Sequence, residues 1–535
     1  MARIGGTIDG SPFARRVGVR VLFFAMNLHC PFLRVFSHGI GALSAYLKQR
    51  GHVVRVVEIS AERHLNRVEE AVRHFAPDVV GMNGPANQGP YFREVVGRAR
   101  VGAPRARVII GGWHATIFPE QVLLESGADA VLSGEGEVAL AAYLDDLSSG
   151  GDGRAAPNFW FLDGGHPVRR SMASFIEDLD ALPMVDYEGQ DMEGILNVNL
   201  RVPVLLASRG CPWSCNFCSN STMRNHGTGT YARIRSVDHV MAEVDYLVRR
   251  HRVRHLFFRD DTMTWNRDWA LAFAGRMADF GHGLTFECLT RADCLDDELI
   301  VALRAGGCRC IWLGVDSGDH DLRTEVLNKS TTREQIVETC DRIHAAGLTV
   351  MTTNMVGLPH ETPEMHRRTI EINRRIYRHH LAVAPGAGSG PKIFCFGPFP
   401  GTPLYPVCRD AGWMGEYPRG YKIYRDTFLD MPQFGPRQIR RAYRDFRYEV
   451  YRGSFPRRAW LYRLWDHGIG PFLGSRERTR ALLLPLFGVA KAVLDARSGH
   501  LHGPGEGGAG GPNPAQSPAP ENRYAAPAEV PPASS

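Results

Sequence analysis

The chain predicts an α/β fold in two successive units: a doubly wound parallel sheet, then a partial (β/α)6 barrel, with a helical region at the C-terminal side. Three observations carry this. Apolar runs of strand length alternate with runs of helical spacing, joined by short links, and the alternation occurs in two series. Glycine and polar residues gather directly after the strands, at the end where ligands of such sheets bind. Beyond about residue 411 the alternation gives way to arginine-rich stretches interleaved with aromatics.

Residues 1–17 carry no periodicity and read as a leader. From Gly18 the pattern is regular. Val19 to Met26, Val53 to Ile59, Asp78 to Met82, Val108 to Ile110 and Ala130 to Leu132 read as strands. Ile40 to Arg50, Val68 to Phe75, Phe92 to Arg100 and Glu120 to Ser126 read as the helices between them. Residues 18–150 therefore form a Rossmann-like unit, whose strand ends are Gly81-Met82-Asn83-Gly84, Gly111-Gly112-Trp113-His114 and Gly134-Glu135-Gly136-Glu137. Small residues at such ends let a bulky ligand approach the backbone.

Residues 151–200 read as a connector. Asn158 to Leu162 and Pro167 to Arg170 flank Asp163-Gly164-Gly165 and predict a hairpin. Phe175 to Pro183 reads as a strap that docks one domain on the next. Residues 201–411 hold the second series, six β/α units of TIM type. Its strands are Val202 to Ala207, His255 to Phe258, Leu284 to Leu289, Cys310 to Val315, Val350 to Val356 and Lys392 to Phe396. Its helices are Val237 to His251, Trp269 to Phe280, Leu299 to Ala305, Glu334 to Ala346 and Glu364 to Tyr377. Asp261, Arg291 and Asp316 fall at successive strand ends, the rim where barrels do chemistry, although each alone could cap a helix.

Residues 412–497 read as helical. The run Arg440 to Tyr448 could bind an anionic surface, but the bland reading, an amphipathic helix with a solvated charged face, is the better one. Residues 498–535 are mostly Gly, Pro, Ala and Ser, a composition expected to be disordered. The net charge of +6 over 535 residues gives no sign of a nucleic-acid partner. Eleven cysteines without framework spacing, and no secretory signal, point to a reducing cytoplasm. Ala481 to Leu494 is the longest near-apolar run and is broken by Pro485 and Lys491, so no membrane span is expected.

The chemistry-bearing stretch is Ser208 to Cys218, where Cys211, Cys215 and Cys218 stand in the spacing C-x3-C-x2-C directly after a strand. Three thiolates on so short a loop can hold three irons of a [4Fe–4S] cluster and leave the fourth open. The alternative is structural zinc, which wants four ligands. Cys308 and Cys310, one residue apart in a strand, supply a second pair poorly.

The cysteine triad, with Phe217 before its last member and six β/α units behind it, resembles the radical S-adenosylmethionine (SAM) superfamily. The glycine-edged sheet upstream resembles a cobalamin (B12)-binding domain, which narrows the resemblance to the B12-dependent branch. There, His38-Gly39 and the flanking Phe36, Ser37 and Gly41 stand where the family carries D-x-H-x-x-G, with Phe36 in place of the aspartate. Asn83-Gly84-Pro85 and Gly111-Gly112 stand at the next two motifs. Further matches are Leu179-Asp180 with Leu182-Pro183, Asp260-Asp261-Thr262, Asn328-Lys329, Gly357-Leu358-Pro359 and Pro400 to Tyr405. One departure is Asp316-Ser317-Gly318, where members often have Glu-Ser-Gly.

The resemblance implies three cofactors: a [4Fe–4S] cluster on Cys211, Cys215 and Cys218, SAM, and cobalamin. It implies SAM contacts from Phe217, Asp261, Arg291, Asp316, Ser317 and Gly357. Cobalamin contacts would come from His38, Asn83, Gly111, Gly112, His114, Gly134 and Glu135, with His38 a candidate lower cobalt ligand. The implied activity is methylation of an unactivated carbon, or of phosphorus, in a small molecule. A 5′-deoxyadenosyl radical from SAM abstracts hydrogen and methylcobalamin delivers the methyl group. A flavodoxin or ferredoxin would supply electrons, and antibiotic biosynthesis is the implied setting. Cyclisation without methyl transfer, and a non-catalytic sensor, are the rival readings. A methylthio-transferring relative would need a second cysteine triad, and Cys30 stands alone in the first domain.

Overall fold

The computed structural model describes residues 18–28, 34–84, 88–199, 201–281, 283–383, 390–415, 424–464 and 466–467. The leader, Cys30, the run Ala481 to Leu494 and the C-terminal tail lie outside the described residues.

The first sheet uses β1 (Arg20–Met26), β2 (Val53–Ile59), β3 (Val79–Asn83), β4 (Arg107–Gly111) and β5 (Ala130–Leu132), all parallel. It is completed by an antiparallel hairpin, β6 (Phe159–Asp163) and β7 (His166–Arg169), giving the order β2-β1-β3-β4-β5-β6-β7. The predicted hairpin therefore extends the first sheet. Six helices cover it: α1 (His38–Gln49), α2 (Arg67–Phe75), α3 (Gly89–Gly102), α4 (Gly112–Ile117), α5 (Pro119–Ser126) and α6 (Glu137–Ser148). Alternation along the strands builds two cores. Leu22, Phe24, Val80, Met82 and Val108 face one helix layer, while Val21, Phe23, Val79 and Ile109 face the other.

The chain crosses to the second unit through α7 (Met192–Val198). The second sheet is wholly parallel, in the order β15-β14-β13-β12-β11-β8. Its strands are β8 (Val204–Leu205), β11 (His255–Phe258), β12 (Thr285–Thr290), β13 (Cys308–Asp316), β14 (Thr349–Val356) and β15 (Lys392–Cys395). A small antiparallel pair, β9 (Ser208–Arg209) with β10 (Arg233–Ile234), brackets the cysteine loop and the short α8 (Asn220–Met223). The crossover helices are α9 (Val237–His251), α10 (Arg267–Phe280), α11 (Asp297–Ala305), α12 (Arg333–Ala345) and α13 (Pro363–Val383).

Each helix begins where a side chain caps it. Ser236, Asn266, Asp296 and Thr332 accept from the third helical N–H, and Thr332 with Gln335 forms a reciprocal capping box. The outer face of this half-barrel is packed by Leu256, Phe258, Phe273, Phe286, Ile311 and Leu313. The alternate side chains on β11 and just past it, among them Phe257, Arg259 and Asp261, belong to the concave face.

The segment between the sheets docks one on the other. Phe36 stacks on Tyr187 with centroids 4.7 Å apart, and the Tyr187 hydroxyl donates to Glu243 on α9 at 2.5 Å. Lys48 pairs with Asp186 at 2.5 Å, and Arg34 with Asp191 at 2.9 Å. At the far end come α14 (Leu404–Asp410), α15 (Pro436–Tyr451) and α16 (Pro456–Leu464). The arginine-rich stretch is an amphipathic helix, as its spacing predicts. Ile439, Phe446, Val450 and Tyr451 of α15 are buried, and Glu449 pairs with Arg374 of α13. Among the described residues, no helix is long and apolar enough to cross a membrane.

Candidate functional site

The cysteine loop leaves β9 through Gly210, whose φ of +77° and close approach to the Tyr231 carbonyl leave no room for a Cβ. It is then pinned on two sides. Arg224 donates to the carbonyls of Cys211 and Trp213, at 3.1 and 2.8 Å. The turn after β13, which contains a π-helical stretch at Leu322–Val326, receives the other side: Asn216 donates to the carbonyls of Val326 and Leu327. Asn328 donates back to the Ser214 carbonyl at 3.0 Å. A π-turn here suits a functional edge, since such turns recur at sites.

The three thiols are free and half-buried. Burial pushes all of them up, Cys218 to about 12, so a metal must displace their protons. Each sulfur has a polar side chain beside it: Thr262 Oγ1 at 3.9 Å from Cys211, Arg291 Nη1 at 3.9 Å from Cys215, and Asn220 Nδ2 at 3.6 Å from Cys218. Among the described residues, no three His, Cys, Asp or Glu side chains gather closely enough to chelate one ion. Three thiolates on one short loop match a cubane with its fourth iron open, whereas structural zinc wants four ligands.

Beside Cys215 stand two ion pairs. Arg291 lies 4.4 Å over the Trp213 ring and pairs with Asp293 at 2.6 Å. Asp316 is clamped by Lys329 at 2.6 Å, with φ +62° and a register shift between Gly314 and Asp316. The shorter aspartate is thus accompanied by an irregular backbone. Ser317 is fully buried and its hydroxyl accepts from the Asp319 N–H, a turn-closing bond. Gly357 donates its N–H to Glu361 and packs on Ile439. Phe217 packs into the cluster of Leu322, Leu327 and Phe396. Ser317, Gly357 and Phe217 thus support the rim from within.

A cavity of about 660 Å³ lies between the two sheets. Asn83, Gly111, Gly112, Gly134 and Glu135 form its first-domain edge, and Gly210, Asp260 and Asp261 its second. It continues down between the first sheet and helices α1 and α6, past Phe23, Val79, Ile109, Leu132 and Leu140. Glycines at its edge and apolar residues in its depth fit a large ligand such as cobalamin, which the first-domain edge residues would hold.

Gly134 has φ +78°, and a Cβ there would lie 2.6 Å from the His226 carbonyl of the second domain. Asp260 accepts from the N–H groups of Ala207 and Ser208 and from the Ser208 hydroxyl. Burial still raises it to about 6. Asp261 is raised in the same direction by burial, with Asn220 opposing.

Of three expected cobalamin contacts, two line the cavity and one does not. His114 does not line the cavity; α4 turns its ring between Phe92 and Phe118, and burial lowers it to about 4. Its neighbour Trp113 lines the cavity instead, 44 % exposed. Glu135 does line the cavity, but its carboxylate is held by Arg233 at 2.7 and 3.0 Å and by Arg209 at 3.3 Å. His38 also lines it, yet Nε2 is enclosed with no partner among the described residues, and the ring meets Phe36 edge-on. Burial lowers His38 to about 4, with the Val204 carbonyl opposing.

The sequence alone did not expose Arg209, Arg233, Asn220 or Tyr231. Only the position of Arg209, directly before Gly210-Cys211, was a usable signal.

The fold and site define a two-cofactor protein, with an iron–sulfur loop on a half-barrel facing a cobalamin-type sheet. The comparisons agree. The Radical SAM superfamily model matches residues 205–372 and the B12 binding domain model matches residues 28–144. The chain thus carries a radical SAM domain preceded by a B12-binding domain. It is 22% identical over 444 residues to the cytidylyl-2-hydroxyethylphosphonate methyltransferase of Streptomyces wedmorensis, covering 74% of this chain and 82% of that one. It is 27% identical over 378 residues to the anaerobic magnesium-protoporphyrin IX monomethyl ester cyclase of Rubrivivax gelatinosus, covering 66% of each. The fold matches the radical SAM methyltransferase TsrM of Kitasatospora setae, solved with cobalamin and a [4Fe–4S] cluster. The TM-score is 0.60 at 18% identity, over 75% of this chain and 80% of that one.

Proposed function

We propose that this chain is a B12-dependent radical SAM methyltransferase that methylates an unactivated carbon, or a phosphorus, of a small molecule. The observation that supports this best is the shared cavity, which puts the glycine-edged strand ends and Asp261, beside the cysteine loop, into one enclosure. Radical methylation needs that convergence, because reacting atoms must meet at near-contact distance. The bound groups supply one-electron cleavage of SAM and methyl transfer.

The chain's own residues position and exclude. Cys211, Cys215 and Cys218 hold the cluster. Arg291 and the Asp316–Lys329 pair flank its Cys215 side, where the amino and carboxylate groups of SAM would find opposite charges, with Asp261 facing them from the cavity wall. Phe217, Ser317 and Gly357 brace that rim. Asn83, Gly111, Gly112 and Gly134 let the corrin approach the backbone, while Trp113 closes the edge. His38 would contact cobalamin from the cavity without ligating cobalt, because Phe36 stands edge-on to the imidazole where the family's aspartate would orient a ligating ring. The EPR spectrum of the protein loaded with cob(II)alamin should then show no nitrogen splitting from His38; a splitting lost in His38→Ala would refute this. Hydroxocobalamin should quench a fluorescence component that is absent from Trp113→Phe; equal quenching in both proteins would remove Trp113 from the site.

We further infer a cytoplasmic enzyme of antibiotic-type biosynthesis, reduced by a flavodoxin or ferredoxin. The ten described cysteines, all free, support the compartment, and the family resemblance supports the rest. The likeness to the Rubrivivax cyclase favours a second reading, ring closure without methyl transfer. Deuterated-methyl SAM separates them: the methylase reading predicts a labelled product, and an unlabelled one from active protein would leave the cyclase.

A further inference from the structure

The last cysteine of the loop is tied to the cavity wall through one buried amide. Asn220 opens α8, two residues beyond Cys218, and is 4 % exposed. Its Nδ2 donates to Cys218 Sγ at 3.6 Å, and its amide lies beside the Asp261 carboxylate, whose charged form it favours. Its Oδ1 accepts from the Tyr231 hydroxyl at 2.5 Å. The orientation of the amide is determined by its partners. A thiolate and a carboxylate can only accept, so the N–H groups face them and the phenol donates to the carbonyl.

The other two sulfurs are served less directly. The Thr262 hydroxyl near Cys211 donates to the Asp261 carbonyl at 2.7 Å, so its hydrogen is engaged elsewhere. The Arg291 guanidinium near Cys215 is shared with Asp293 and stacked over Trp213. Among side chains, Asn220 thus makes the shortest N–H···S contact on the triad, beside backbone N–H groups of Trp213 at Cys211 and of Asn220 itself at Cys218. Asp261 and Tyr231 both line the cavity, so the amide stands between the cavity and the sulfur.

We propose that Asn220 is a positioning residue that makes the cluster easier to reduce, with Tyr231 holding its amide in the donating orientation; the proposal rests on the assignment of the cluster to the triad. Reduction adds negative charge that spreads over the sulfurs, and hydrogen bonds to those sulfurs are one of the protein's means of setting the potential. Neither partner transfers an electron or proton in this role.

The test uses the full chain reconstituted without oxygen, poised where half of the unaltered cluster is reduced, with the reduced cluster counted by EPR against iron per chain. Asn220→Leu should lower the ratio of reduced to oxidised cluster about tenfold, which is about 59 mV for one electron. Tyr231→Phe should lower it less, at unchanged iron. Unchanged ratios in both variants at full iron content would overturn the proposal. If Asn220→Leu fails to retain iron, Tyr231→Phe decides alone, and an unchanged ratio there overturns it. An unaltered chain that takes up no iron overturns the cluster assignment itself, and this proposal with it.

Discussion

Replacing Cys215 by alanine should abolish release of 5′-deoxyadenosine from SAM and take bound iron from about four per chain to near zero. The size of the effect follows from the loop. Three thiolates hold three of the four irons, so losing one leaves half of the cluster without a protein ligand. Arg291, now lacking Cys215, would keep Asp293 and Trp213 as partners, so the fold should survive the change. Cys408→Ala, in α14, is the control for thiol count and should keep its iron, at the stability cost of a small buried cavity. Iron analysis and product chromatography after chemical reduction check both. Continued SAM cleavage by Cys215→Ala would displace the cluster from this loop.

Glu135→Ala should produce the largest loss of stability outside the cores. It leaves Arg233, 5 % exposed, without the carboxylate that binds two of its nitrogens, and removes one of the two carboxylates on Arg209. Stripping one partner from a buried pair costs about 3–5 kcal/mol, because the remaining charge stays desolvated. The first and second domains should then separate at lower denaturant, and cobalamin retention should fall with them. The pair also sets a pH limit. Burial pulls the Glu135 carboxyl up, but Arg233 and Arg209 pull it further down, to a net value below its ordinary 4.5. A depressed acid contributes fully above its unfolded value and loses that contribution as the pH falls through the folded one. Domain docking should therefore weaken below about pH 4.5, and that acid sensitivity should vanish in Glu135→Gln. Denaturation midpoints across pH read both effects.

Strand and helix periodicity made much of the architecture legible. His255–Phe258 and Val237–His251 lie where their patterns put them because each buries one regular face, and Val53–Ile59 does so as an apolar edge strand in which only Ile59 is buried. The helix Glu137–Ser148 was not read, since apolar residues occupy nearly every early position and blur the 3.6 period. The short helix Gly112–Ile117 was hidden by its glycine pair, which reads as a turn. At the site, the cysteine triad was legible because its chemistry is local in sequence. His114 was misplaced because a strand-end motif does not say which way a one-turn helix will roll its side chains. Glu135 was legible as a cavity residue, but not as the partner of Arg233 on β10, a pairing that no local pattern encodes.

The clasp also bears on how the molecule is assembled. Glu135 and Arg233 are separated by 98 residues, and the cysteine loop lies within that span. Contacts that close so long a segment form late, after the entropy of closure has been met by the local helices and strands. The loop should therefore remain open to solvent during most of folding, with its thiols reachable by an iron–sulfur donor and equally by oxygen. Docking then encloses the loaded loop. In a cell the timing of maturation, rather than the final stability, would set how many chains become active.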